Sequence, residues 1–317
     1  MKTIITLIIF FSWPLWAQTF VGTIVAKKGD VKILRTPAGP EDKGPFALYE
    51  GNKYSYELAK IGKKIKPSEI IQSGADGKAK IVYPNGDYLV IGVGTTMVMP
   101  DVAEKAEAKD SSSVKLIYGR VRALISKSGP RNNMTVKTPT AVAGVRGTDF
   151  FTRSNPSAGT EITVLRGQVD MSSKNKPKEV VKIKTGFSAE AKPKAESAPK
   201  IIEATKEELL TLQGDTAVQT TKEEIASLPA ETQEKLNTLA EKSKEAILND
   251  IKLENEDLYK ELSANKDLSP EDINTAVVAG LYQMAPSAKK KKPTQEEIDS
   301  IGKDVYEKYF NKKTQAK

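Results

Sequence analysis

The stretch that shapes the fold of this chain is Val136-Lys-Thr-Pro-Thr-Ala-Val-Ala-Gly-Val-Arg-Gly-Thr-Asp-Phe150. Pro139 has a restricted φ and no backbone N–H, so it predicts the end of the strand that precedes it. Gly144 and Gly147 stand on either side of Arg146 and predict a tight backbone path that a Cβ would obstruct. We therefore expect a turn that locks two strands together.

The side chains of this stretch support two hypotheses. Val142, Val145 and Phe150 are apolar and can contribute to a core. Arg146 has five donors that can reach strand-end carbonyls or a carboxylate such as Asp149. The favoured prediction is structural, with Arg146 as an internal hydrogen-bond hub. The alternative is that Arg146 is a docking point for an anionic ligand.

Short β-type runs surround this stretch from about residue 19 to residue 189. They lie at residues 20–25, 31–34, 79–82, 88–91, 96–99, 114–117, 121–125, 134–137, 162–164 and 180–183. Asn85-Gly86 between two apolar runs predicts a hairpin whose two central residues have positive φ. Strands this short and closely spaced predict an all-β unit: a sandwich, a barrel or a compact solenoid.

Two short segments within the β-rich half have similar sequences. Residues 115–121 align with residues 163–169, matching Gly119 to Gly167 and Val121 to Val169. We interpret these segments as two similar strand–bulge–strand turns, because two copies are too few to define a repeat.

The composition changes after residue 190. Residues 191–200 are rich in Lys, Pro, Ala, Glu and Ser and predict a linker. Hydroxyl–x–x–acid signals for helix starts follow at Thr205, Thr221, Ser269 and Thr294. We expect a helical region at 201–286, a basic linker at 287–293 and a final helix at 294–317. Whether these helices form a loose bundle, pack on the β unit or stay extended is left open by the sequence.

The composition excludes several classes of chemistry. The chain has 317 residues and contains neither Cys nor His. A disulfide framework, a Cys or His metal site, a His-based triad and a Cys nucleophile are therefore all ruled out. Ser, Lys, Asp and Glu are plentiful, but no serine motif or acid pair stands in a recognisable frame. We expect no enzyme activity, catalytic residue, metal or cofactor, and keep an unrecognised hydrolase as a remote alternative.

The first residues indicate export. A lysine at position 2 precedes an apolar run that ends at Ala17, the pattern of a secretory signal peptide at residues 1–17. A membrane anchor is the alternative, but it needs about 20 apolar residues and this run is interrupted by Ser12 and Pro14. No later segment is apolar and long enough to span a bilayer. We expect a periplasmic protein without a membrane span after cleavage; secretion is the other destination considered.

The net charge of +8 is unevenly distributed. Residues 18–190 contain 28 basic and 17 acidic side chains, whereas residues 191–317 contain 20 basic and 24 acidic ones. A basic protein often binds nucleic acid, but export removes that partner. The expected partners are an envelope protein or an anionic envelope polymer that contacts the β-rich half.

The opening stretch resembles the hallmark of the FecR-like periplasmic domain, a T-P-x-A-x-x-G-V-R-G-T-x-F segment. The hallmark residues singled out here are Thr138, Pro139, Thr140, Ala143, Gly144, Val145, Arg146, Gly147, Thr148 and Phe150. Flanking turns and strands follow in the family's order, so the resemblance covers roughly residues 65–190. We predict a mainly β domain at residues 18–190, followed by the α-helical region.

The resemblance also implies a class of function. In the family's namesake it implies a relay from an outer-membrane receptor to a cytoplasmic sigma factor, which needs an anti-sigma segment and a membrane span before the β domain. Here the first strand signal follows almost directly after the leader. We therefore expect a periplasmic adaptor or a signalling-associated binding module. The alternative is a protein that binds peptidoglycan or lipopolysaccharide.

Overall fold

The computed structural model describes residues 20–100, 113–127, 134–265, 268–270, 272, 273 and 276. The leader predicted at 1–17, the basic linker at 287–293 and the last helix at 294–317 lie outside the described residues.

Eighteen strands and four helices are found among these residues. The strands are β1 (Gly22–Lys28), β2 (Val31–Pro37), β3 (Phe46–Tyr49), β4 (Asn52–Leu58), β5 (Lys64–Ile65), β6 (Ile70–Ser73), β7 (Lys78–Val82), β8 (Tyr88–Ile91), β9 (Thr96–Val98), β10 (Ser113–Ile125), β11 (Met134–Lys137), β12 (Ala141–Val145), β13 (Thr148–Asn155), β14 (Gly159–Arg166), β15 (Gln168–Ser173), β16 (Lys176–Lys184), β17 (Phe187–Ala191) and β18 (Lys200–Glu203). The helices are α1 (Lys206–Thr216), α2 (Lys222–Ala226), α3 (Ala230–Glu254) and α4 (Glu256–Ala264).

The strands form two stacked sheets. Sheet A has the order β5-β1-β7-β8-β10-β13-β14-β17-β18. Sheet B has the order β3-β4-β2-β6-β9-β10-β11-β12-β15-β16. The described pairs are antiparallel except β10–β11. The predicted fold class, a mainly β domain of short strands followed by an α-helical region, is confirmed.

The core lies between the two sheets. It is built from the residues that alternate inward along each strand, as a half-buried strand requires. Ile24, Ile81 and Leu89 of sheet A and Ile33 and Leu116 of sheet B are all fully buried in this one cluster. Fully burying a side chain of this kind stabilises the fold by about 1.5–3 kcal/mol.

The two similar segments lie where the chain passes between sheet A and sheet B. Residues 113–118 of β10 pair within sheet B and residues 119–125 pair within sheet A. Gly119 lies at that change, and Gly167 lies between β14 of sheet A and β15 of sheet B. The interpretation as similar turns is confirmed, and its physical basis is a shared corner of the sandwich.

Two hairpins differ from what the sequence predicts. The hairpin predicted at Asn85-Gly86 joins β7 and β8, but only Gly86 has a positive φ (94°), so the two-residue turn expected there was wrong. Such a turn occurs at Glu50-Gly51, where φ is 50° and 79°. Those two residues join β3 to β4, a hairpin that was not predicted.

The helices pack on the outer side of sheet A, which is one of the three arrangements that the sequence left open. Ile247 and Ile251 of α3 and Leu262 of α4 are buried against Val90 and Leu124 of the sheet. The apolar side of α3 therefore faces the β unit. Within the described part of the chain, no helix has the length and apolar character needed to cross a membrane.

The helix starts follow the predicted capping chemistry. Thr221 forms a complete capping box with Glu224, and Thr205 caps α1 by accepting from the Glu208 N–H at 3.2 Å. The Ser269 hydroxyl accepts from the Asp272 N–H at 3.2 Å. Strand β18 precedes α1 and pairs with β17, so sheet A continues beyond residue 190, where the β domain was predicted to end.

Candidate binding surface

The hallmark stretch runs along β11, turns, and returns along β12. At the turn, the Thr138 N–H donates to the Ala141 carbonyl at 2.9 Å, and the Ala141 N–H donates to the Thr138 hydroxyl at 2.9 Å. The hydroxyl of Thr160 on β14 lies 2.6 Å from that of Thr138 and 2.7 Å from that of Thr140. The three threonines therefore tie this turn of sheet B to sheet A.

Most other hallmark side chains are structural. Ala143, Val145 and Phe150 lie in the core and are at most 2% exposed. Thr148 is fully buried, and its hydroxyl donates to the Gln168 carbonyl at 2.9 Å. These groups hold the two sheets together and are not accessible to a ligand.

The two hallmark glycines have different roles. Gly147 lies at the corner between β12 in sheet B and β13 in sheet A, with a φ of 60°. A Cβ on Gly147 would approach the Cα of Lys127 to 2.7 Å. At Gly144 the nearest atom to an added Cβ is 3.9 Å away, so the predicted obstruction there was wrong. Only Gly147 is required by the backbone.

The arginine at the internal hub of this region is Arg122, not Arg146. Asp149 accepts from Arg122 twice, with Nε–Oδ1 at 2.9 Å and Nη2–Oδ2 at 2.7 Å, and both side chains are buried. The Arg146 side chain is exposed and makes no hydrogen bond or ion pair with any residue that the structure describes, although its backbone carbonyl accepts from the Thr148 hydroxyl at 3.2 Å. The structure thus leaves Arg146 available for contacts outside the chain.

Arg146 belongs to a larger set of outward-facing cations on sheet B. The four lysines are next to buried residues on their strands, so they point away from the core. Arg146 follows the buried Val145 just after β12 and is exposed. Lys115 is beside Lys137 in the register of β10 and β11, and Lys184 is opposite Gln168 in that of β15 and β16. We call this surface the basic face; it consists of Lys115, Lys137, Arg146, Lys182 and Lys184.

The charge of the basic face is only partly compensated. Two carboxylates lie among the described residues of these strands: Asp170 is opposite Lys182 in the register and accepts from Gln168 Nε2 at 2.9 Å, and Glu179 pairs with Lys176. None of the five cations forms an ion pair with a described residue. Like charges on adjacent strands, as at Lys115 and Lys137, reduce the stability of a sheet. An anionic partner would remove that cost.

The outer side of sheet A has the opposite character, because acidic groups of the helices neutralise its cations. Three ion pairs cross this boundary: Arg120–Asp215, Lys127–Glu254 and Arg166–Asp250. The last pair is 3.0 Å long, with Asp250 fully buried and Arg166 4% exposed. Asp250 also accepts from the Lys127 N–H at 3.0 Å.

Burial near α1 also shifts the pKa values of two side chains, Lys78 and Glu208. Burial lowers the pKa of Lys78, and the nearby charges of Lys28 and Arg120 lower it further. Burial raises the pKa of Glu208, and a hydrogen bond with Glu161 adds to the effect. Paired carboxylates of this kind can serve in hydrolysis. This pair, however, lines neither of the two depressions described for the surface.

Those depressions offer little for catalysis. A groove of about 220 Å³ between sheet A and α3 is lined mainly by apolar and amide or hydroxyl side chains, with Lys80 as its charged member. The other depression lies along the polar side of α3. In the described ranges, no cluster of three or more potential metal ligands is present.

A family comparison agrees with this geometry. Residues 69–170 match the family model described as FecR protein. The chain contains a FecR domain. The match extends from the residue before β6 into β15, within the range of 65–190 predicted from the hallmark. The FecR domain thus includes the hallmark turn, Arg146 and part of the basic face.

Two crystal structures of a proposed anti-sigma factor from Parabacteroides distasonis, at 2.50 and 1.65 Å resolution, are similar to the chain. Each is 16% identical over 46% of this chain, with a TM-score of 0.38. The chain spans 64% and 65% of the length of those structures. No curated protein matches the chain.

Sequence reasoning did not identify four members of the basic face: Lys115, Lys137, Lys182 and Lys184. A signal was present, because each lysine alternates with apolar residues along its strand, and such alternation predicts an outward side chain. The order of strands in sheet B could not be obtained from that pattern. Only that order brings the four lysines together with Arg146.

Proposed function

We propose that this chain is an exported, non-enzymatic binding module of the cell envelope, whose FecR domain docks an anionic macromolecular partner on the basic face. An adaptor or signalling-associated role is the form of this proposal that fits a FecR domain best. The predicted signal peptide supports export, and the nature of the surface depressions supports binding over catalysis.

The main support is the contrast between the two faces of the sandwich. The cations of sheet A are paired with helical carboxylates, as in Arg166–Asp250. None of the five cations of the basic face has such a partner among the described residues. Among the described residues, the helices therefore cover the outer side of sheet A and not the basic face. A surface with five cations that form no ion pair with a described residue is suited to bind an anionic partner.

Site-specific photo-crosslinking in the native host tests this proposal. A photoreactive residue in place of Lys137, in the middle of the basic face, is expected to form an adduct with an envelope macromolecule. The matched control replaces Lys222, an exposed lysine on α2. An adduct from position 137 and none from position 222 is the expected outcome. Equal adducts from both positions, or none from 137, would contradict docking on this face.

The same experiment reports on export. The chain should be recovered from the envelope fraction. Mass spectrometry should show that its N-terminus begins after Ala17. A cytoplasmic chain that retains residues 1–17 would contradict the export part of the proposal.

A further inference from the structure

We infer that the ligand of the basic face is an extended, carboxylate-bearing glycan of the cell wall, of the peptidoglycan type. This inference rests on the proposed function, since it names the partner that the binding module takes. It follows from three features of the face: the spacing of its charges, its position outside the two described depressions, and an exposed aromatic ring on the same side of the sheet.

The positive charges are spread over the face and do not converge on one point. Lys115 and Lys137 lie on adjacent strands, about 5 Å apart across the sheet. Lys182 and Lys184 lie on one strand with Ile183 between them, about 7 Å apart along the chain. A small anion could contact one or two of these groups. Only a polymer with repeated negative charges could contact the whole set.

The shape of the face leads to the same conclusion. Neither described depression includes a residue of the basic face. Small ligands generally bind in concave pockets that bury most of their surface. The outer side of a sheet instead offers a long contact area. Lysine ammonium groups, which are compact point charges on flexible stems, can follow an irregular chain of carboxylates without a fixed geometry.

An exposed ring distinguishes a glycan from a simple polyanion. Tyr118 of β10 pairs with Thr96, which alternates with the buried Met97, so its ring is on the outer side of sheet B. Tyr118 is 48% exposed and lies three residues from Lys115. Such a ring presents an apolar surface with a polar tip, which suits the apolar side of a sugar ring and its hydroxyl groups.

The remaining outward residues near the lysines are small. Val142 and Ser172 are half-buried neighbours in the register of β12 and β15, and Val180 is 54% exposed on β16. No large apolar side chain other than Tyr118 and Val180 projects from this part of the described surface. Membrane-surface binding usually adds insertion of large apolar groups to charge attraction. The face therefore fits a wall glycan better than a bilayer.

The test is co-sedimentation of the purified mature chain, residues 18–317, with isolated peptidoglycan sacculi. The wild-type chain is expected to sediment with sacculi at 0.1 M salt and to be released at 1 M salt, where the Debye length falls from about 10 Å to about 3 Å. The double variant Lys115→Glu/Lys137→Glu should bind about tenfold more weakly, because two attractive contacts become repulsive. Tyr118→Ala should bind about threefold more weakly.

The matched control is Lys60→Glu/Lys222→Glu, which makes the same charge change at two exposed lysines outside the face. It should bind sacculi within about twofold of wild type. Far-UV circular dichroism verifies that every variant is folded. If the control loses as much binding as Lys115→Glu/Lys137→Glu, net charge and not the face is responsible, and the inference is wrong.

Two further probes separate the other partners. Poly-L-glutamate binding that equals sacculus binding and is unaffected by Tyr118→Ala would assign the face to an acidic protein. Binding to phosphatidylglycerol vesicles without binding to sacculi would assign it to a membrane. Either result overturns the glycan inference but leaves the proposed binding function in place if position 137 still crosslinks to a partner. Loss of that crosslink as well would remove both.

Discussion

Replacement of Asp250 by alanine is expected to destabilise the chain by about 3–5 kcal/mol. Asp250 is fully buried, and its carboxylate accepts from Arg166 at 3.0 Å and from the Lys127 N–H at 3.0 Å. Without it, the guanidinium of Arg166 would remain buried with no compensating charge. Urea denaturation followed by far-UV circular dichroism gives the change in the free energy of unfolding. Circular dichroism is preferred to tryptophan fluorescence because both tryptophans of the chain, at residues 13 and 16, lie in the predicted leader.

Glu254→Ala is the matched control for this prediction. Glu254 pairs with the Lys127 ammonium on the same boundary, but both side chains are about one-third exposed. Partly exposed pairs contribute about 0–1 kcal/mol, so this variant should be close to wild type. Equal effects of the two substitutions would contradict a specific role for the Arg166–Asp250 pair in docking α3 on sheet A.

Replacement of Gly147 by alanine is expected to cost about 2–4 kcal/mol. The residue has a φ of 60°, which is unfavourable for a side chain. The new Cβ would also approach the Cα of Lys127 to 2.7 Å, so the corner between β12 and β13 would have to move. Thermal and urea denaturation should both show the loss.

Gly144, three residues earlier in the hallmark, is the matched control for this prediction. Gly144 lies within β12, and an added Cβ would have no neighbour closer than 3.9 Å. Gly144→Ala should therefore be neutral or stabilise slightly, because alanine restricts the unfolded chain more than glycine does. If Gly144→Ala and Gly147→Ala were equally harmful, the corner geometry assigned to Gly147 would be wrong.

Local signals predicted much of the fold. Tyr88–Ile91 and Met134–Lys137 have the bounds expected from their apolar runs, and the capping box at Thr221 forms as expected. The hairpin of β3 and β4 was missed because its turn places Glu50, a residue without turn preference, at a positive φ. Its strands also contain no buried residue and so lack strong alternation.

The binding surface was harder to predict because it depends on non-local pairing. Arg146 was identified from its motif, but its expected carboxylate, Asp149, is bound by Arg122 from a distant part of the chain. Likewise, Lys115 and Lys184 lie on one face only because β10 and β16 belong to the same sheet. Period-two alternation predicts which way a side chain points, but not which strands are neighbours.

Lysine footprinting of the wild-type chain tests docking on the basic face most directly. Isolated native envelopes and the purified chain are treated with the same lysine-acylating reagent, and the modified sites are quantified by mass spectrometry. We predict that Lys115, Lys137, Lys182 and Lys184 react several-fold more slowly in envelopes than in the purified chain. The reactivity of Lys60 and Lys222 should not change. Equal reactivity of all six lysines in both preparations would show that the basic face is unoccupied and would contradict the proposed function.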